Sequence, residues 1–243
     1  MSAPETRFDF EKSMKTVSSC PFLHKYLPFD RYVIRPPASL VVKAVFRTSV
    51  TPNQLTFTSF FFALLAALAY VGGRPVYFAL GGCLALVSTV FDAADGMLAR
   101  AKSMTSRYGA CLDLLLDRFA DFAVLVGASF GYFRYTRSFR FLTFGLVTAG
   151  LYILQTSLYY IRLLYARSEK RGEGAEAKSL AVSLIFVFSV VGRPDWVLAG
   201  VFLLACPAVI TNLVLFLREG RAPAAAPAAA PAARSRTSQI SSG

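Results

Sequence analysis

Six stretches of this chain are apolar over unusually long runs: residues 54–72, 76–99, 109–133, 141–165, 178–192 and 195–217. A helix needs roughly 17–25 residues to cross a hydrocarbon core of about 30 Å. Lipid offers no hydrogen-bond partner to an open backbone, so runs of this length favour helices. The sequence therefore predicts an all-α fold, a polytopic membrane helical bundle with six transmembrane helices, the fifth the shortest. Composition agrees, with 55% hydrophobic and only 16% charged residues, where a soluble domain carries about 25% charged. Gly72-Gly73-Arg74-Pro75 and Gly192-Arg193-Pro194-Asp195 are tight breaks between neighbouring spans.

An even number of spans puts both termini on one side, and lysine and arginine decide which. One face collects 20 of them, from residues 1–50, 100–107, 162–178 and the tail from Arg218 onward. The other has five: Arg74, Arg134, Arg137, Arg140 and Arg193. The positive-inside rule makes both termini cytoplasmic, in a cell (inner) membrane. No run in the first 50 residues suits a secretory h-region, so no leader is expected. Residues 39–50 alternate apolar groups with Lys43 and Arg47, four apart on one helical face. That pattern suits a helix lying in the interface over anionic headgroups, or equally a connector with snorkelling cations. The expected organisation is a cytoplasmic segment over 1–50 with the interfacial helix, a six-span domain over 51–218, and a disordered Ala/Pro-rich tail over 219–243. The lone His24 excludes a histidine metal site, and four scattered cysteines lack metal or redox spacing. No nucleic-acid partner is expected.

Carboxylates within spans are costly and mark function by default. Here they cluster. Asp92 and Asp95 are three apart near the cytoplasmic end of the second span, and Asp113 and Asp117 are four apart near the start of the third. Both spacings place side chains on one helix face. The short intervening loop predicts antiparallel neighbours, with all four carboxylates converging just inside the membrane. Four anions so close raise one another's pKa unless cations compensate. An all-oxygen ligand set suits Mg²⁺, Mn²⁺ or Ca²⁺, and two such ions would balance the four charges. Gly96, Ala99 and Gly109 leave room for a bulky ligand beside them. The same residues also allow a plainer reading, in which aspartates pair with Arg100 or Arg118 and the small residues serve helix packing.

Taken together, Asp92-x2-Asp95-Gly96-x2-Ala99-Arg100-x8-Gly109-x3-Asp113-x3-Asp117 resembles the complete signature of the CDP-alcohol phosphotransferase family. Thr51-Pro52-Asn53-Gln54-Leu55-Thr56 is similar to the family's Pro-Asn-x-x-Thr opening of the first span. The resemblance covers residues 35–218. It implies a phospholipid-biosynthesis enzyme with two divalent ions, Mg²⁺ or Mn²⁺, on Asp92, Asp95, Asp113 and Asp117. Asp117 is then also the general base, with Asp113 beside it in the catalytic set. It further implies a CDP-alcohol site formed by Asn53, Thr56, Asp92, Gly96, Ala99, Arg100 and Gly109, a CDP-diacylglycerol-type lipid donor, a small polar acceptor, and a homodimer.

The continuation Leu112-Asp113-x3-Asp117-Arg118-x2-Asp121 resembles members that use inositol or inositol phosphate. Arg118 and Asp121, with Arg162 and Arg167 at the cytoplasmic end of the fourth span, are the expected acceptor residues. Topology alone would also place basic residues at 162 and 167, whereas Arg118 lies inside a span and has no such reason. A glycerol-phosphate or other polar-alcohol transferase is the alternative within the family. Outside it stands a membrane cation transporter, which would line a path through the bilayer rather than one depth.

Overall fold

The computed structural model describes residues 29–165, 187–189, 191 and 193–221. A single π-helical turn, Asp30–Ile34, runs into α1 (Arg35–Val45). There follow α2 (Pro52–Val71), α3 (Pro75–Ala101), α4 (Arg107–Thr136), α5 (Phe139–Tyr165) and α6 (Pro194–Arg221). Among the described residues every regular element is helical.

The helix starts follow local chemistry. Thr51 is extended ahead of α2, and its backbone N–H donates to the Gln54 side-chain oxygen at 2.9 Å while Pro52 opens the helix. Such a box satisfies amides that the first turn leaves without intrahelical partners. Pro75 opens α3 in the same way, behind an extended Arg74. At α4 the Ser106 hydroxyl accepts from the Gly109 amide at 2.9 Å. The turn from α2 to α3 passes through Gly73 at φ +65°, a conformation glycine takes without penalty.

Four of these helices are long and apolar enough to cross a membrane: Pro52–Val71, Pro75–Ala101, Phe139–Ile161 and Asp195–Arg218. The third expected span, 109–133, lies within the 30-residue α4, whose length of ~45 Å would suffice. Its first half, with Asp113, Asp117, Arg118 and Asp121, is too charged to qualify. The fifth expected span, 178–192, falls outside the described residues apart from 187–189 and 191. The basic helix expected over 39–50 instead occupies Arg35–Val45, because Pro36 suits a first helical turn and the chain turns from Phe46 onward. Lys43 and Arg47 are both exposed.

Helices in lipid associate by close packing and hydrogen bonds rather than by hiding apolar surface from water. α2 is the hub, packing along both α3 and α4. Gly127 and Gly131 of α4 lie directly on the Ala67 and Tyr70 carbonyls of α2, and a Cβ on either glycine would overlap those oxygens. Across the α2–α3 seam, Ser59 and Ser88 each donate to the other's carbonyl at 2.9 Å. A second layer joins α4, α5 and α6 through Leu125, Ala149, Tyr152, Val197, Leu198 and Val201. α1 caps the end of the bundle, with Ala38 and Val42 buried against Leu55, Ala94, Met97 and Leu98.

The five-residue connection from α3 to α4 predicted neighbouring helices, and the two do meet, though only sparingly. Each is bound mainly to α2, and a cavity separates their facing sides. The walls of that gap carry like charges, which disfavours closure.

Candidate active site

Helical spacing brings the acidic groups to the mouth of this gap. Asp92 and Asp95 project from the last turns of α3 and Asp113 from the second turn of α4. One carboxylate oxygen from each lies within 4.8 Å of the others. Asp95 is buried and receives a hydrogen bond from the Thr56 hydroxyl of α2 at 2.6 Å. That bond fixes the carboxylate from behind, as an outer partner orients a metal ligand. Three close carboxylates form an all-oxygen donor set, the chemistry that fits a hard divalent cation.

Asp117 lies one turn beyond Asp113. It shares the cavity with Asp92 and Asp121, and the walls add Ser59, Ser88, Thr89 and Tyr152 to apolar Ala63, Ala85, Ala120, Val124, Leu125 and Val201. A space with carboxylates at one end and hydroxyls along its sides suits a ligand rich in hydrogen-bonding groups.

Arg118 stands beside that cavity. One of its terminal nitrogens lies 3.4 Å from an Asp121 oxygen, and its guanidinium lies 5.8 Å from the centre of the Tyr160 ring. Its Nε and Nη1 are buried and have no hydrogen-bond partner among the described residues. Buried donors left in this state are costly, and an anion docking there would relieve the cost.

Among the remaining sequence-derived candidates, Gly96, Ala99 and Arg100 lie in the last two turns of α3, toward its loop end. Gly96 leaves open space in which the Arg100 guanidinium lies, 3.5 Å from where a Cβ would be. Ala99 is half-buried and Arg100 exposed. A Cβ on Gly109 would stand 3.2 Å from the Asn53 side-chain oxygen and 3.0 Å from the Ser106 hydroxyl. The first turns of α2 and α4 therefore meet at Asn53 and Gly109. Thr56, expected in the CDP-alcohol site, hydrogen-bonds Asp95. Arg162 lies in the last turn of α5, described by its backbone, and Arg167 lies outside the described residues. The cavity hydroxyls Ser59, Ser88, Thr89 and Tyr152 were missed. The available signal was the recurrence of small hydroxyl residues on apolar helices at the depth of the aspartates.

A family model described as CDP-alcohol phosphatidyltransferase matches residues 49–211. The archaetidylinositol phosphate synthase of Pyrococcus horikoshii is 30% identical over 184 residues, spanning 73% of this chain and 88% of that protein. The phosphatidylinositol phosphate synthase of Mycobacterium tuberculosis is 29% identical over 185 residues, 70% of this chain and 80% of that one. A crystal structure of the latter with CDP-DAG bound superposes at a TM-score of 0.60 with 22% identity, covering 80% of this chain and 98% of that chain. A second, in complex with manganese and citrate, gives 0.58 and 20%, covering 75% and 88%. At these identities the structural likeness speaks for the fold.

Proposed function

The chain belongs to the CDP-alcohol phosphatidyltransferase family and is a membrane transferase, and on that premise we propose that it moves a phosphatidyl group from CDP-diacylglycerol to a hydroxyl of inositol phosphate, releasing CMP. The observation that carries the acceptor is Arg118, whose two unsatisfied buried N–H donors lie one residue from Asp117. Their chemistry matches a phosphate on the acceptor, whose negative charge strengthens such bonds, whereas free inositol offers only neutral hydroxyl acceptors. Two relatives bear names ending in inositol phosphate synthase, which supports the same reading.

In this reading Asn53, Gly96, Ala99, Arg100 and Gly109 hold the cytidine nucleotide. Asp92, Asp95, Asp113 and Asp117 hold two divalent ions, Mg²⁺ or Mn²⁺. When bound, such ions supply Lewis-acid polarisation of the diphosphate and balance the carboxylate charge. Asp117 accepts the proton of the acceptor hydroxyl, whose oxygen forms a bond to the β-phosphorus as the bond to CMP breaks. Arg118 and Asp121, with Arg162 and Arg167, orient the acceptor so that this hydroxyl is in line, and positioning is the main demand of such a displacement. The charge bias along the chain supports six crossings with both termini and the site at the cytoplasmic face of the cell membrane. It also supports α1 lying in that interface.

The test uses purified protein in nanodiscs with CDP-diacylglycerol, Mg²⁺ or Mn²⁺, and a panel of myo-inositol, inositol phosphate, glycerol 3-phosphate and serine, with CMP release followed. Metal-dependent release with inositol phosphate is expected. Arg118→Gln should raise the KM for that acceptor on the order of tenfold. Equal turnover of wild type with glycerol 3-phosphate, or an unchanged KM in the variant, would overturn the acceptor assignment.

A further inference from the structure

Lys102, at the C-terminal end of α3, reaches back across the bundle end. Its ammonium donates to the carbonyl of Thr48 at 2.8 Å and to that of Val50 at 2.7 Å. Both carbonyls belong to the non-helical link between α1 and α2, where no helical ladder supplies a donor. Two of the three ammonium protons are thus committed to backbone. A cation placed here only for membrane orientation would reach toward water or headgroups, whereas this one folds onto the link.

That link ends one residue before the Thr51 cap of α2. Asn53 stands in the first turn, against Gly109, and Thr56 one turn later holds Asp95. Lys102 itself lies two residues after Arg100 in the chain. We propose that Lys102 is a positioning residue for the nucleotide end of the donor site, holding residues 48–50 so that Asn53 meets Gly109 in the geometry the cytidine diphosphate requires. The inference rests on the reading of Asn53 and Gly109 as nucleotide contacts. It adds a residue outside the signature that acts only through backbone.

The decisive experiment separates donor affinity from folding and from acceptor chemistry. Full-length protein in nanodiscs with Mg²⁺ is titrated with CDP by calorimetry, for wild type and for Lys102→Met, Lys102→Gln and Lys102→Arg. The Met variant should bind CDP on the order of tenfold more weakly. Gln, which can still reach one carbonyl, should fall between, and Arg should stay near wild type. With CDP-diacylglycerol as donor, KM should rise in the same order while turnover per folded molecule holds within about twofold.

A purely structural lysine would give less folded protein with unchanged CDP affinity in the folded fraction, and that result overturns the proposal. If Met prevents folding, the Gln and Arg pair still decides, because Gln binding CDP as wild type does would refute it. Wild type that binds CDP but transfers to no inositol acceptor would defeat the functional reading alone and leave the Lys102 series interpretable. Wild type that binds no CDP would overturn both.

Discussion

The two halves of α4 face the same neighbours and treat them in opposite ways. From Val124 to Tyr132 the helix contributes Val124, Leu125, Gly127, Ala128, Ser129, Gly131 and Tyr132 to the buried interior. Side chains at 127 and 131 are deleted so that backbone meets backbone on α2. From Arg107 to Asp121 no residue of α4 is fully buried. That half carries Asp113, Asp117, Arg118 and Asp121, and faces α3 across a cavity rather than a seam. One helix thus divides its labour: its second half supplies tight packing, and the first uses that anchorage to hold charges that would not pack. The family reaction needs such a division, since a divalent-cation site must stay rigid while leaving room for substrates.

The largest effect expected from this contrast belongs to the first half. Asp113→Asn keeps shape and hydrogen-bonding volume but removes one negative charge from the three-carboxylate cluster. CMP release should fall on the order of 10³-fold or more, ~4 kcal/mol in the barrier, with the melting temperature in detergent little changed. Retained turnover would mean that the cluster is structural and that the contrast between the halves has been misdrawn. The second half predicts the reverse. Gly131→Leu would force a side chain into the Tyr70 carbonyl and separate α2 from α4, at a cost of ~3 kcal/mol of stability. The yield of folded protein and its melting temperature should drop, while CDP affinity of whatever folds stays near wild type. A Gly131→Leu protein with unaltered melting would show that the α2–α4 seam is looser than the carbonyl contacts indicate.

Some of this division can be read from sequence, and the reasons for the rest are physical. The spacings of Asp92, Asp95, Asp113 and Asp117 report helix faces directly, because a period of 3.6 residues is a local property. Three of the four do gather as that period requires. What spacing cannot report is which third helix lies behind them. The short link after Ala101 implied that α3 and α4 are neighbours, but not that α2 takes most of the contact surface of both. Thr56 shows the same limit: its place in the opening motif was visible, but its bond to Asp95, 39 residues away, depends on how α2 lies over α3. Gly127-x3-Gly131 stands in the sequence without naming its partner. Lys102 reads there as one more cation in a basic loop, since backbone carbonyls leave no sequence signal for their donors. The charged half of α4 also misleads any count of spans based on apolarity, because function removes the very signal that marks a crossing.

The smallest effect tests the gap from its other wall. Thr89 lines the cavity from α3, and its hydroxyl is spent within its own helix, donating to the Ala85 carbonyl at 2.9 Å. Replacing it by leucine therefore leaves no group stranded and adds bulk to open space. If the gap is a substrate chamber, Thr89→Leu should melt within a few degrees of wild type, since filling a void costs little. The acceptor KM should rise about fivefold, ~1 kcal/mol, with CDP affinity unchanged because Gly96 and Arg100 stand about two turns or more further along α3 than Thr89. Added bulk at Gly131 and at Thr89 would then separate cleanly, one acting on stability and the other on acceptor use. Thermal melts and acceptor kinetics on the two purified variants, side by side, make the comparison. Should Thr89→Leu instead unfold the protein as Gly131→Leu is expected to, the α3–α4 gap would be a packed seam in solution, and the cavity would no longer support an acceptor held beside Asp117 and Asp121.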